Sequence, residues 1–359
     1  MGSFVSITGV GLVTPVGPSA PATWAALLRG ESITDHAKVS LPDAPPGPRV
    51  TALARHAAAE AVHEARWSRE VLESPSTALI VATSKGPVEE WLKGNLDSDG
   101  LAGVASGIAA GLQMGYGPRL TVSAACSSGL HGLIRAAMML RSEEVDRVLV
   151  IGAEASVHPL FIGSFQRLGV LPRGGYGCRP FDRMRRGFLM SDAAAAVCLE
   201  RSDGPAIARL EHFAMGADAT HITASDPSGA GLQRLLKQMI GSGGQVDLIH
   251  GHGTGTVAND AIELNTIEIA LQASRSRPAL YSHKGAIGHS LGAAGMVSVA
   301  LSCLMHRDGI VPPNVNLRNP LPAQRVELSA MMTKRPIFRS LALAAGFGGP
   351  MAVVSLLSA

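Results

Sequence analysis

Short runs of consecutive apolar residues alternate along this chain with longer segments that repeat an apolar residue every three or four positions. The short runs predict strands buried on both faces, as in the sheets of α/β proteins. The longer pattern is clearest between residues 127 and 140, where it predicts a helix with one face in the core. The pattern therefore indicates an α/β fold. The predicted strands are residues 5–9, 78–83, 147–152 and 246–250, and the helical positions are Leu130, Leu133, Ile134, Ala137 and Met138.

The order of these elements is repeated within the chain. Three segments of the first part each resemble a segment of the second part, and the matches occur in the same order. Because an ordered set is harder to obtain by chance than one match, it predicts a duplicated α/β unit. The halves are residues 1–205 and 206–359. The matching pairs are 78–86 with 247–255, 121–140 with 281–304, and 148–153 with 341–346.

Two segments interrupt this pattern and predict loops. Residues 35–49 contain four prolines, which neither a helix nor a central strand accepts. Residues 173–186 combine glycines and Pro180 with several arginines. The rest of the chain has the material for a large core.

The composition excludes several classes of protein. Of 359 residues, 46% are hydrophobic and 16% charged, which excludes a disordered chain. The net charge of +3 and the aromatic content of 4% argue against binding to nucleic acid. Residues 285–305 and 341–359 lack Asp, Glu, Lys and Arg, but glycine, serine or proline interrupts both and the first contains His289, so we expect buried core and no membrane span.

Four cysteines without C-x-x-C spacing predict neither a disulfide framework nor a thiolate metal site. They favour a reducing compartment. Because the N-terminus shows no basic and then apolar signal pattern, we expect a cytoplasmic protein.

Cys126 lies where a predicted strand turns into a helix, among the small residues of Ala-Ala-Cys-Ser-Ser-Gly. A thiol at a helix N-terminus experiences the positive end of the helix dipole, which favours the thiolate. Small neighbours leave room for a substrate, and N–H groups of the turn can form an oxyanion hole. Cys126 is therefore a candidate nucleophile, with a buried structural thiol as the alternative.

Three histidines stand out in the second half of the chain. His250 and His252 end a predicted strand, and His289 follows the next one in a glycine-rich segment. His-x-His with a distant third histidine can bind zinc, and Asp260 and Glu263 are near enough in sequence to support such a site. Catalytic histidines and buried structural ones are the alternatives.

Neither glycine-rich segment matches a nucleotide-binding loop. Residues 9–17 lack G-x-G-x-x-G and contain Pro15 where a helix would have to run. Residues 285–295 lack the Gly-Lys-Ser/Thr of a P-loop. The sequence therefore predicts neither a dinucleotide nor a nucleoside triphosphate.

Taken in order, these motifs resemble the β-ketoacyl-ACP synthases, the thiolase-fold condensing enzymes of fatty-acid and polyketide synthesis, over nearly the whole chain. The resemblance implies two similar α/β halves stacked in α-β-α-β-α layers, as the internal repeat also predicts. The matching segments are residues 7–17, 124–129, 180–182, 187–188, 221–227, 252–256, 259–263, 284–289, 292–295 and 346–349.

The resemblance implies a role for each matching residue. Cys126 matches the nucleophile that accepts the acyl group, and His252 and His289 match the two catalytic histidines of the elongating Cys-His-His type. The remaining matches are Lys284 and Glu263, which support the second histidine, Thr254 and Thr256, which contact the pantetheine arm, and Phe347, whose backbone N–H completes the oxyanion hole.

The implied reaction is a decarboxylative Claisen condensation. The cysteine takes an acyl group from an acyl carrier protein, and malonyl-ACP loses CO₂ to give an enolate that the neutral imidazoles stabilise. Attack on the acyl-cysteine gives a β-ketoacyl-ACP, with no metal or redox cofactor. The implied partners are the acyl carrier protein and a second subunit, either another copy or a second ketosynthase-like chain.

The chain also departs from the family pattern. Arg186 replaces an aspartate, Ser191 and Asp192 replace Gly-Glu, and Pro350 and Met351 replace Thr-Asn. The chain is shorter than a typical member, mainly within residues 32–54 and 86–116. Five arginines that oppose a single aspartate are expected to steer the acidic carrier: Arg173, Arg179, Arg183, Arg185 and Arg186.

Two other functions fit the same family. One is a non-catalytic partner subunit of the chain-length-factor kind, which usually lacks the nucleophile. The other is an acyltransferase or thioesterase that uses another acceptor, for which decarboxylating histidines would have no use. Because Cys126, His252 and His289 are all present, the sequence favours the condensing enzyme.

Overall fold

The computed structural model describes residues 4–41, 47–95, 100–172, 174–223, 226–241 and 244–359. Within these residues the chain forms twelve strands and eleven α-helices. The strands are β1 Val5–Val13, β2 Thr77–Ala82, β3 Arg119–Val122, β4 Arg147–Glu154, β5 Ala193–Arg201, β6 Ala208–Ala217, β7 Leu248–His250, β8 Ala279–Tyr281, β9 Ile310–Val311, β10 Thr333–Lys334, β11 Arg339–Ala345 and β12 Pro350–Ser358. The helices are α1 Ala20–Leu28, α2 Arg49–Glu64, α3 Arg69–Glu73, α4 Val88–Leu92, α5 Ala102–Gly111, α6 Ser128–Arg141, α7 Pro159–Arg167, α8 Ala230–Gly241, α9 Val257–Ala270, α10 Lys284–Ile287 and α11 Ala294–Asp308.

Ten of these strands form one sheet. Its two halves have the same strand order when each half is followed from its outer edge to the centre. The order is β3-β2-β4-β5-β1-β6-β12-β11-β7-β8, so β1 and β6 are equivalent strands at its centre. They pair antiparallel, with Val5 opposite Leu210 and Ile7 opposite Ala208. In each half two pairings are parallel and two antiparallel. The predicted internal repeat is therefore present in the strand order, and the α/β fold class is confirmed.

Helices cover the two half-sheets in three layers. The facing helices α6 and α11 pack together between residues of both half-sheets, in one continuous apolar core. Helices α2 and α5 cover the outer face of the first half-sheet, and α8 and α9 cover that of the second. This is the predicted α-β-α-β-α arrangement of a thiolase fold. The division at residues 205 and 206 falls between β5 and β6 and, as a domain boundary, stays a prediction.

Strand β1 is longer than the predicted residues 5–9 and continues to Val13. Strand β6 pairs with β1 only at residues 5–7. Beyond that point two carboxylates of α2 accept the strand's N–H groups, Glu64 from Val10 at 2.7 Å and Glu60 from Leu12 at 2.8 Å. The glycine-rich segment is a strand because β5 pairs with one edge of it as far as Val13 and side chains of α2 accept N–H groups on the other edge.

The uncharged stretches noted in the sequence are buried elements. Residues 285–305 contribute α11, every residue of which is buried up to His306, and residues 341–359 contribute β11 and β12. None of the helices in the described part of the chain combines the length and apolar character that crossing a bilayer requires.

The central helices approach each other most closely at two equivalent glycines. A Cβ atom added to Gly129 of α6 would lie 2.7 Å from the backbone nitrogen of Met296. A Cβ added to Gly295 of α11 would lie 3.0 Å from the backbone nitrogen of Leu130. The lack of side chains at both positions allows the two helix starts to come together.

Gly129→Ala is therefore expected to lower the free energy of unfolding by about 1–3 kcal/mol, because the added methyl group must push the two helices apart. Gly163→Ala in α7 is the control, since its Cβ would have no atom within 4 Å, and it should be neutral or slightly stabilising. Denaturant unfolding of both variants measures the difference. Equal stability of the two would contradict the close contact.

Candidate active site

Cys126 lies in a tight turn between β3 and α6. Ala125 has a φ of 49°, in the left-handed region that an alanine rarely adopts. The hydroxyl of Ser128 accepts the N–H of Ala124 at 2.8 Å and donates to the carbonyl of Ala125 at 2.6 Å, and Ser127 donates to the carbonyl of Ala124. The serines after the cysteine thus hold the turn that presents its thiol.

The thiol of Cys126 is protonated at neutral pH. Burial raises its pKa to about 11, and the charges of Lys284 and Lys85 only partly oppose this effect. The favourable effect of the helix N-terminus stays a prediction, because the loss of hydration outweighs the favourable charges and makes the thiol the resting form of the free protein. Attack by this thiol requires a group that takes its proton.

A buried carboxylate holds the loop that carries His252. Glu263 of α9 accepts the backbone N–H of His252 at 2.6 Å and that of Gly253 at 2.8 Å. The side-chain amide of Asn259 donates to the same carboxylate at 3.0 Å. Asp260 accepts the N–H of Gly255, so α9 anchors the loop at both ends.

His289 is held through its backbone and by aromatic packing. Its N–H donates to the carbonyl of Leu189 at 2.7 Å, and its carbonyl accepts the N–H of Ser191 at 3.1 Å. The ring of Phe188 meets the imidazole edge to face, with centroids 4.9 Å apart. The ring centroids of His252 and His289 are 5.6 Å apart, and the two ring planes make an angle of 82°.

The imidazoles of His252 and His289 are neutral and are available for hydrogen bonds to a substrate. Burial, with a contribution from Lys284, lowers the pKa of His252 and of His289 well below the usual range. The direction agrees with the sequence argument for His289, although burial and not Lys284 is the larger cause. Within the described residues neither ring has a hydrogen-bond partner. Each ring therefore retains one N–H that can donate to a bound substrate.

Lys284 is buried directly behind His252. Its ammonium donates to the carbonyl of His252, and burial lowers its pKa to about 8. Burial and the neighbouring Asp260 raise the pKa of Glu263 to about 7. The hydrogen bonds of Lys284 and Glu263 thus reach the segment of the first histidine, whereas the resemblance assigned both residues to the second.

These side chains surround one cavity of about 400 Å³. The hydroxyls of Thr254 and Thr256 lie 2.9 Å apart along it, and Lys284 is not part of its wall. The predicted site residues that line the cavity are Cys126, His252, Thr254, Thr256, Glu263, His289 and Phe347.

The hairpin between β11 and β12 closes the cavity beside Cys126. A Cβ added to Gly346 would lie 3.0 Å from the backbone nitrogen of Cys126, so the two segments touch. The N–H of Gly346 donates to the carbonyl of Pro350, which fixes the hairpin. In the described part of the chain the N–H groups of Cys126 and Phe347 have no acceptor. They are free to bind an oxyanion.

His250 does not join the other two histidines as a zinc site would require. Its ring bonds to His283 and Ser302 instead. Among the described residues no three histidine, cysteine or acidic side chains are arranged to hold a metal ion.

Comparison with known proteins agrees with this geometry. Family models of the beta-ketoacyl synthase N-terminal and C-terminal domains match residues 48–204 and 207–318. The 3-oxoacyl-[acyl-carrier-protein] synthase 2 of Rhizobium meliloti (strain 1021) is 30% identical over 98% of this chain and 98% of its own length. This chain belongs to the β-ketoacyl synthase family. As such it is an acyl-transferring condensing enzyme.

Other relatives of this β-ketoacyl synthase support the same family. The 3-oxoacyl-[acyl-carrier-protein] synthase 2 of Coxiella burnetii is 29% identical over 88% of this chain and 89% of its own length. A solved type II polyketide synthase acyl carrier protein in complex with its ketosynthase matches with a TM-score of 0.88 and 24% identity over the full length of both chains. The ishigamide ketosynthase/chain length factor matches equally well. These structures show the shared fold.

One departure of this β-ketoacyl synthase from its family pattern, Asp192, has several partners in the structure. Buried Asp192 pairs with Arg49 at the start of α2, and Arg49 also binds Glu89 at 2.7 Å. The carbonyl of Ala37, within the shortened region 32–54, accepts the N–H of Asp192 at 2.9 Å. Residues 42–46, which include three prolines of the predicted loop, lie outside the described residues.

The predicted arginine loop needs one correction. Arg185 is buried and donates to the carbonyls of Asp182, Thr256 and Val257, so it braces the loop and cannot contact a carrier. Arg183 is exposed, and Arg186 is exposed on the cavity wall. Arg173 lies outside the described residues.

Sequence reasoning missed two supporting residues. Glu154, fully buried at the end of β4, accepts the N–H groups of Ser84 and Gly292. It thereby connects the segment after β2 with the segment before α11. A carboxylate that ends an apolar run was the available signal. Phe165 of α7 packs between Phe188 and Phe347, at 5.5 and 6.2 Å, and no sequence feature distinguished it from core.

Glu263→Gln is expected to lower condensation activity about 10- to 100-fold, because one N–H at His252 or Gly253 loses its acceptor and the loop shifts. Glu268→Gln is the matched control, since Glu268 on the same helix accepts the N–H groups of Gln324 and Arg325 away from the cavity. Both variants should unfold about 1–3 kcal/mol more easily. Equal loss of activity in both would show that Glu263 has only a structural role.

Proposed function

We propose that this β-ketoacyl synthase extends an acyl group held on Cys126 by decarboxylative condensation with malonyl-ACP. The observation that carries the proposal is one cavity lined by a protonated thiol and two neutral imidazoles whose rings have no partner among the described residues. A metal or redox cofactor is not needed for this chemistry.

In the loading step a neutral imidazole takes the proton of Cys126, and the sulfur attacks the carbonyl carbon of an acyl thioester. The N–H groups of Cys126 and Phe347 stabilise the oxyanion that forms. The carrier's sulfur then leaves and takes up the proton. The acyl group remains as a thioester on Cys126.

In the condensation step the bond between the malonyl α-carbon and its carboxylate breaks and CO₂ leaves. The electron pair forms an enolate, whose oxygen accepts N–H groups from His252 and His289. The enolate carbon attacks the acyl-cysteine carbonyl, and the sulfur of Cys126 leaves as a thiolate that takes a proton from solvent to restore the resting thiol. Two carbons are thereby added. Thr254 and Thr256, along the same cavity, are suited to bind the amide groups of the pantetheine arm.

The partner that delivers these thioesters is proposed to be an acyl carrier protein. The solved type II carrier in complex with its ketosynthase supports this, as do the relatives named 3-oxoacyl-[acyl-carrier-protein] synthase. Assembly with another copy or with a second ketosynthase-like subunit, and a cytoplasmic location, stay predictions.

Cys126→Ala should abolish acyl loading and leave the fold intact, because only a partly buried thiol is removed. Intact-mass measurement after incubation with acyl-ACP detects the covalent acyl group. Cys303→Ala, which removes a buried thiol of α11 that does not line the cavity, should load normally. Failure of the unaltered protein to load any acyl group would favour a non-catalytic partner subunit.

His289→Ala should slow malonyl decarboxylation far more than acyl loading, since its N–H is assigned to the enolate. A loss of about 100-fold or more in decarboxylation is expected for one removed donor. Release of CO₂ from malonyl-ACP and mass detection of acyl-Cys126 separate the two steps. Equal loss in both would remove this division of labour.

Arg186→Glu should raise KM for the carrier about tenfold at low salt and leave kcat nearly unchanged, because exposed charges act mainly on encounter. Its guanidinium lies on the cavity wall, over the ring of Tyr176 at 4.4 Å. Arg183→Glu is the comparison, since Arg183 is exposed in the same loop but lies outside that wall and donates to the carbonyl of Pro320, so a smaller rise in KM is expected. The difference should vanish near 1 M salt, where the Debye length is about 3 Å. Unchanged KM in the Arg186 variant would exclude this docking site.

A further inference from the structure

Two buried histidines take no part in the reaction described above. His250 is the last residue of β7, and His283 lies two residues beyond β8. Neither ring is exposed, and Nε2 of His250 lies 2.9 Å from Nδ1 of His283. Nδ1 of His250 lies 3.1 Å from the hydroxyl of Ser302, and the ring of Tyr281 packs against His250 at 5.0 Å. The two imidazoles therefore form a bonded pair in a dry interior.

An imidazole pair of this kind is bonded only when one ring donates an N–H and the other accepts it. A proton added to both rings would abolish the bond and bury two charges. Burial lowers the pKa of His250 to about 3 and that of His283 well below the usual range. The bond consequently persists across the pH range in which the enzyme works.

The pair joins the same two strand ends that carry the site. His252 follows His250 by two residues, and Lys284 directly follows His283. The ammonium of Lys284 reaches back to the carbonyl of His252, and the N–H of Gly251 donates to the carbonyl of Tyr281 at 2.8 Å. The ends of β7 and β8 are thus connected twice, by the His250–His283 pair and by the bond from Lys284 to the carbonyl of His252.

We infer that the His250–His283 pair is a positioning element that sets the spacing between the strand ends carrying His252 and Lys284. This inference rests on the proposed role of His252 in decarboxylation. Neither residue of the pair lines the cavity. Both act through their neighbours.

Opening the pair has a specific electrostatic consequence for Lys284. Water that enters between the strand ends restores hydration to its ammonium, so its pKa rises from about 8 toward the usual value. In this inference the Lys284 ammonium holds the His252 carbonyl, so activity should fall when Lys284 loses its proton, and opening the pair should move that fall to higher pH. The titratable groups that surround Lys284 are Glu263 and Asp260 of α9, Cys126 before α6, Cys178 in the loop before β5, and the imidazoles of His250, His252, His283 and His289.

Two substitutions at His250 separate its two hydrogen bonds. The amide of Gln reaches about as far as Nε2 and can keep the bond to His283, whereas the amide of Asn reaches only as far as Nδ1 and keeps the bond to Ser302. His250→Asn is expected to lower kcat for decarboxylation about tenfold with little change in KM, and to move the alkaline limb of the pH profile upward. The single variants His250→Gln and His283→Asn should each retain most of the wild-type kcat and the wild-type position of the alkaline limb of the pH profile.

His306→Asn provides the control for loss of a buried histidine bond. His306 of α11 bonds to the carbonyl of Ile337 and to the hydroxyl of Ser340, remote from the cavity, and the same substitution removes the second of these bonds. It should destabilise the protein about as much as His250→Asn, without altering kcat or the pH profile.

Nitrogen-15 spectra of the histidines test the pair without any assay of activity. At pH 7 the free protein should show two neutral rings of fixed tautomer, which His250→Asn disturbs and His250→Gln retains. A charged ring at either position would overturn the pair, and equal kcat in the Asn and Gln variants would overturn its positioning role. Absence of decarboxylation by the unaltered protein, with the neutral pair observed, would instead refute the proposed function.

Discussion

The close packing of α6 against α11 is the constraint on which the site depends. The two helices are equivalent members of the duplicated halves, and each begins just after a segment that carries a reactive side chain. Gly129 and Gly295 let the helix starts touch. Because the halves meet there, Cys126 of one and His289 of the other line the same cavity. A site assembled across a pseudo-two-fold axis needs no long loop to bring its parts together.

Burial then decides the protonation states at that point. Removal of water raises the pKa of Cys126 and lowers those of His252 and His289, so the resting site is a thiol between neutral rings. Burial also lowers the pKa of Lys284 to about 8 and raises that of Glu263 to about 7, and both residues hold the backbone at His252. Lys284 thus lies outside the cavity wall, behind His252, whereas Glu263 lies on the wall with the two imidazoles.

The substitution at Asp192 is accommodated by local contacts. Asp192, shorter than the glutamate it replaces, finds Arg49, and the segment around Ala37 supplies a further backbone acceptor. The guanidinium of Arg185 donates to the carbonyls of Asp182, Thr256 and Val257. Arg186, which replaces an aspartate, is exposed on the cavity wall.

The sequence by itself determined the α/β class, the internal repeat and the residues around which the site is built. Apolar runs and helical spacing are local properties, and motifs such as the small residues around Cys126 are read directly from the chain. What decided the thiol's pKa, the direction of the Lys284 and Glu263 contacts, and the burial of Arg185 was the tertiary structure. These depend on which groups of distant segments exclude water from one another, as when α9 meets the loop at His252. The partner of His250 was likewise beyond sequence reasoning, because the two rings come together only when β7 and β8 pair in register and carry His250 and His283 to the same side of the sheet.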